Sequence, residues 1–103
     1  MKIIQELSNK IEKEILCAEE YAKAALEMKE TYPKLSESYY KIAGEKMGHM
    51  IELHNQVVAL IDEYRKTKGE PPESMNMLYN ILHKKHIEQA AVVKGLLALY
   101  KDF

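Results

Sequence analysis

Two side chains able to do chemistry, Lys46 and His49, interrupt an apolar stripe in the middle of the chain. They lie three residues apart, so on a helix they project from the same face. An ammonium or an imidazole inside an apolar face loses hydration unless it finds a partner. The pair therefore marks a polar site in a bundle core, the remnant of such a site, or the edge of a narrower core. The full stripe consists of Leu35, Tyr39, Ile42, Lys46, His49, Leu53, Gln56, Leu60 and Tyr64.

The elements that carry this stripe are predicted to be three helices. Four glycines and three prolines divide the 103 residues into segments dominated by good helix formers, and no alternating pattern of useful length predicts a strand. We predict one domain, 1–103, with helices at about 2–30, 33–67 and 72–101. Because the connectors are short, successive helices should be antiparallel neighbours in an all-α three-helix bundle.

Helical spacing also predicts which residues of the outer helices face inward. The first helix carries the stripe Ile4, Leu7, Ile11, Ile15, Ala18, Ala22 and Ala25, whose alanines permit a close neighbour. On the third helix His86 and Gln89 fall among inward apolar positions. Lys46 and Gln89 are thus predicted to be polar residues within the core.

A second apolar set on the second helix predicts self-association. It includes Tyr40, Met47, Met50, His54, Val57 and Ile61, which lie beside the first stripe. A helix apolar over so wide an arc needs neighbours on more than one side, and a homodimer that completes a larger bundle would provide them. The alternative is a monomer in which these side chains are partly exposed, as is common.

The stretch Ala43-Gly44-Glu45-Lys46-Met47-Gly48-His49 resembles the second-helix motif of the ferritin-like di-iron and di-manganese proteins. Those proteins place one Glu on the first helix and Glu-x-x-His on the second, and equivalent ligands on two further helices. The resemblance implies a ferritin-like fold and assigns the first-helix ligand to Glu14, with Glu19 and Glu20 as rivals. The same resemblance implies iron or manganese, held by Glu14, Glu45, His49 and His86.

Two departures from the family pattern favour a degenerate site without metal. The position three residues before His49 is Lys46, a cation that repels a divalent ion, and a fourth helix is missing. A metal site would need ligands from a partner subunit. In a degenerate site His49 would bond Glu14 or Gln89, and Lys46 would pair with Glu14 or extend to solvent. His83 and His86 could also bind a metal with Glu88 or His54 if the second and third helices meet at the right height.

Composition excludes several other classes. With 15 basic and 16 acidic residues the chain has no electrostatic footprint for nucleic acid, and no apolar run is long enough to span a membrane. Cys17 is the only cysteine, which suits a reducing compartment and predicts a cytoplasmic protein. Phosphate loops and nucleophile elbows are not found. The chain is predicted to be a non-enzymatic scaffold or interaction protein, with a metal protein or a module for a protein partner as alternatives.

Overall fold

A computed structural model describes residues 2–102, which form three α-helices. Helix α1 spans Lys2–Met28, α2 spans Pro33–Lys68 and α3 spans Glu73–Asp102, and no strand occurs within the described residues. The prediction of an all-α protein with three helices is confirmed, and each observed bound lies within two residues of its prediction. Residues 1 and 103 of the predicted domain lie outside the described part.

The helix ends follow from local sequence signals. Pro33 begins α2, where its missing N–H costs nothing. At the other end Gly69 has φ of 81°, and its N–H donates to the carbonyl of Arg65 at 3.1 Å. Glu73 lies in the first turn of α3, where the helix dipole favours an anion. These signals confine the connectors to 29–32 and 69–72.

Helix α1 lies at the centre of the fold and packs against both α2 and α3, which make few contacts with each other. Its predicted stripe is buried apart from Leu7, which is half-buried. The main apolar cluster joins all three helices and consists of Ile11, Ile15, Ala18, Met47, Ala90 and Val93. The core is therefore built around α1, and one side of the α2–α3 pair is left open.

Contacts along α1 define the order in which the other helices pass it. Late in α1, Ala25 accepts a hydrogen bond from the buried hydroxyl of Ser36, early in α2. Farther back, Glu14 meets His49. On α3 the contacts run in the same direction as on α1, because Glu12 meets Gln89 whereas Lys29, just after α1, meets the later residue Tyr100.

The predicted inward face of α2 requires a correction. Its buried residues are Ser36, Ala43 and Met47, whereas Leu35 of the first stripe is exposed and Lys46 is only half-buried. The face of α2 that packs on α1 is thus the one that carries Met47 of the second apolar set. It points in a different direction around the helix from the stripe that contains Lys46 and His49. Small residues at Ser36 and Ala43 fit against the alanines of α1, and this packing leaves the charged side chains at the rim.

The molecule is a rod of 55 × 19 × 17 Å with a radius of gyration of 16.5 Å. A compact chain of this length would have a radius of gyration of about 13 Å. The helices set the length of the rod, since 36 residues of α2 rise roughly 54 Å. None of the helices within residues 2–102 is both long and apolar enough to cross a membrane.

Candidate functional site

The carboxylate of Glu14 is the meeting point of the polar residues that interrupt the α2 stripe. Its Oε2 lies 3.5 Å from Nζ of Lys46 and 3.3 Å from Nδ1 of His49. The side chain of His49 is 54% exposed, and those of Glu14 and Lys46 are exposed by 24% and 30%. The three side chains thus form a polar cluster at the α1–α2 rim, in which both α2 residues contact Glu14.

The two helices position this cluster through the apolar packing beneath it. Lys46 and His49 lie one turn apart on α2, so both can reach one carboxylate on α1. Glu14 follows Ile11 and precedes Ile15, which are buried. An ion pair this exposed is worth little, about 0–1 kcal/mol. The cluster therefore contributes little to the stability of the fold.

A second polar cluster joins α1 to α3. Nζ of Lys85 lies 2.7 Å from Oε1 of Glu12, and Nε2 of Gln89 donates to the same oxygen at 3.3 Å. The hydrogen bond from Lys85, and then that from Gln89, lowers the pKa of the Glu12 carboxyl. Oε1 of Gln89 is buried and has no hydrogen-bond partner within residues 2–102. Gln89, which was predicted to be a polar residue within the core, is half-buried, and half of its amide is unsatisfied.

Three histidines line an open groove between α2 and α3. The rings of His54 and His83 stack with centroids 5.0 Å apart and planes 18° apart, and His86 is buried beside them. All three border two adjoining cavities of about 170 and 190 Å³. Desolvation by burial, and next the charge of His83, lowers the pKa of His54. Burial also lowers the pKa of His86, although the Glu12 carboxylate opposes this shift.

The four predicted metal ligands do not form a common cluster within one chain. Glu14 and His49 are in contact, Glu45 is exposed on α2, and His86 lies in the histidine groove. Across residues 2–102 no three His, Cys, Asp or Glu side chains are grouped closely enough to hold one metal ion. Any site that uses these four residues would need a second subunit.

The predicted interface residues differ in how they are buried. Met47 is a correction, because it is 6% exposed and belongs to the core of its own chain. Tyr40 stacks on Tyr100 with centroids 4.3 Å apart. His54 and Ile61 line the histidine groove, whereas Met50 and Val57 both line the groove and pack partly against the core.

Sequence reasoning missed two features of this region. It did not single out Ile51 and Ile87, which form exposed walls of the groove and are 52% and 56% exposed. It also missed Ser36, whose hydroxyl satisfies a carbonyl in the last turn of α1. A small polar residue at a helical spacing from Ala43 was the available signal for Ser36.

Comparisons of the chain with family models, with curated proteins and with solved structures gave no match. The assignment of function therefore depends on the geometry of the Glu14 cluster and of the histidine groove.

Proposed function

We propose that the protein is a non-enzymatic, self-associating helical scaffold whose ferritin-like metal site has degenerated. The observation that carries the proposal is the contact of Lys46 with Glu14 at 3.5 Å. The ammonium takes up the carboxylate that a metal would use and stands where the family motif has its bridging Glu. Lys10 and Lys13 border the same shallow surface, together with the carboxylate of Glu52.

The ferritin-like, antiparallel arrangement belongs to the same proposal. It is supported by the reversed order of the α1–α2 contacts, in which Ala25 meets Ser36 and Glu14 meets His49. The shared order of the α1–α3 contacts supports an up-down-up bundle. Such a bundle has three of the four helices of a ferritin-like core, and the position left open borders both α2 and α3.

Self-association is supported by the apolar walls of the histidine groove. A soluble chain that exposes isoleucine and valine along one open groove has a surface suited to another helix. We further propose a cytoplasmic location, since the single half-buried Cys17 suits a reducing compartment.

The decisive experiment compares metal retention by the unmodified protein and by two variants of Lys46 at equal concentration. After anaerobic loading with Fe(II) or Mn(II) and desalting, elemental analysis should find no stoichiometric metal in the unmodified protein. Lys46→Glu recreates Glu-x-x-His beside Glu14 and should gain measurable affinity. Lys46→Gln removes the same cation without adding a carboxylate and is the matched control, which should stay without metal.

The alternative function, an iron or manganese protein with its site completed across a dimer, predicts another result. The unmodified protein would then retain about one or two ions per subunit, and His49→Ala would lose them. That outcome would reject the degenerate site and leave self-association as a requirement for metal binding.

A further inference from the structure

The walls of the histidine groove carry side chains that are costly to leave in water. Ile51 and Val58 on α2 are 52% and 45% exposed, and Ile87 on α3 is 56% exposed. They flank the stacked pair of His54 and His83 on both sides of the groove. An apolar strip of this kind, placed between two helices, is a docking surface for further helices.

Charged residues mark the two ends of this strip. Lys94 borders the groove at the Ile51–Ile87 end, whereas Asp62 borders it at the opposite end, beside Val58 and Tyr79. Within residues 2–102 Lys94 makes no ion pair. Asp62 has only a loose contact with Arg65 at 3.9 Å. The groove is thus positive at the Lys94 end, whereas the other end carries the Asp62 carboxylate with the Arg65 guanidinium beside it, and Arg65 pairs more closely with Glu70, at 3.3 Å.

The histidine pair lies between these charges. Asp62 is eight residues beyond His54 on α2, which is about 12 Å of helix rise. Lys94 is eleven residues beyond His83 on α3, which is about 16 Å in the opposite direction along the rod. A second copy turned end for end about an axis at the histidine level would therefore bring each Lys94 close to the level of the other copy's Asp62.

We propose that the α2–α3 groove is the dimer interface, in which a second copy of the chain docks through a two-fold axis lying across the groove near His54 and His83. The proposal rests on the self-association proposed above and assigns its surface, its symmetry and its charge pairing. Ile51, Val58 and Ile87 of the two copies pack around the axis. Because both Lys94 and Asp62 lie along the groove, their side chains meet near its midline in both symmetry-related positions.

Sedimentation equilibrium of the full chain measures the dissociation constant of the dimer. The interface is tested by reversing the charges at positions 94 and 62, first singly and then together. At pH 7.5 the protein should be a dimer, and Lys94→Asp or Asp62→Lys alone should raise the dissociation constant about tenfold or more, because each change reverses two symmetric pairs. The double variant Asp62→Lys/Lys94→Asp should recover most of the affinity. Lys84→Asp, the same charge reversal at an exposed α3 residue, is the control and should have little effect.

Each alternative result rejects the proposal. A dimer that is indifferent to the Lys94 and Asp62 changes would retain self-association but reject this surface. A monomer throughout the accessible concentration range would reject self-association and point to a helix of another protein as the occupant. Circular dichroism of every variant confirms that the helices are intact, and none of these results depends on the metal measurement.

Discussion

At the scale of single residues, Gln89 carries the one buried side-chain oxygen or nitrogen within residues 2–102 that has no hydrogen-bond partner. Its Nε2 donates to Glu12 whereas its Oε1 is buried without a partner. A buried acceptor of this kind costs about 1–3 kcal/mol because it gives up water and gains nothing. Glu12 does not depend on Gln89, since Lys85 lies 2.7 Å from the same carboxylate oxygen.

Replacing Gln89 by leucine should therefore stabilise the fold. Gln89→Leu removes the unpaired oxygen and adds apolar volume beside Ala90 and Val93, while Glu12 keeps its ion pair. We expect the free energy of unfolding to rise by about 1 kcal/mol, or the melting temperature by roughly 4–8 °C. Urea denaturation followed by circular dichroism measures the change. Gln56→Leu alters an exposed glutamine of α2 and should change stability by less than about 0.5 kcal/mol. A loss of stability in Gln89→Leu would mean that the amide has a partner, such as a bound water.

The polar residues of the sequence were easier to assign to partners than to a depth in the fold. The sequence offered Glu14 as one partner of Lys46 and of His49, with solvent and Gln89 as the alternatives, and in the structure both side chains contact Glu14. Their exposure could not be predicted from α2 alone, because it depends on which of two apolar faces packs on α1. Burying the second face costs less desolvation free energy, since it leaves the ammonium of Lys46 and the imidazole of His49 hydrated.

At the scale of the helices, α1 was predictable and α2 was not. The α1 sequence has one apolar stripe, so periodicity identified nearly its entire buried face. Helix α2 has two candidate stripes, and the choice between them is a tertiary effect. Ser36 and Ala43 match the small residues of α1, and this fit between the helices has no signature in the α2 sequence alone.

Two glycines inside α2 offer a direct test of how this helix is used. Gly44 and Gly48 are exposed helical residues, and a methyl group added at either would meet no atom within 4 Å. Alanine favours the helix over glycine by about 0.5–1 kcal/mol. Gly44→Ala and Gly48→Ala should therefore each raise the free energy of unfolding by about that amount, as measured by urea denaturation.

The glycine-to-alanine change at Gly69 is the control, and it should change the free energy of unfolding in the opposite direction. Gly69 has φ of +81°, where a Cβ is strained, so Gly69→Ala should lower stability even though the space around it is open. If Gly44→Ala or Gly48→Ala weakened self-association while stabilising the monomer, a partner would approach α2 closely at those positions. That result would extend the interface beyond the groove walls.

At the scale of the whole molecule, the sequence predicted three helices but not the shape of the open groove between α2 and α3. The spacing of His83 and His86 indicated that both could act together, and the link to His54 depended on the height at which α2 and α3 pass each other. The two helices are held by α1 and scarcely touch. The groove, with its three histidines, therefore results from the way α1 holds α2 and α3 apart, and it cannot be predicted from any one helix.

This groove should make the folding equilibrium depend on pH in a defined direction. Burial lowers the pKa of His54 and of His86 below their ordinary value of 6.5, so the folded chain binds fewer protons than the unfolded chain in the window just below that value. The free energy of unfolding should be constant above about pH 7 and should fall as the pH drops below 6.5. The slope cannot exceed about 1.4 kcal/mol per pH unit for each histidine.

Measurements between pH 5 and 7 separate the contribution of the histidines to the free energy of unfolding from that of the Glu12 carboxylate. Hydrogen bonds from Lys85 and Gln89 lower the pKa of Glu12 from 4.5, so its contribution is fully present above that value and is lost only as the pH falls through the lowered pKa. Urea titrations should be made in the Lys94→Asp background, where the proposed dimer is weakened and association adds little to the apparent stability. His54→Gln/His86→Gln should then flatten the dependence between pH 5 and 7. An unchanged slope in that variant would show that other groups take up the protons on unfolding and that the two imidazoles are hydrated in the groove.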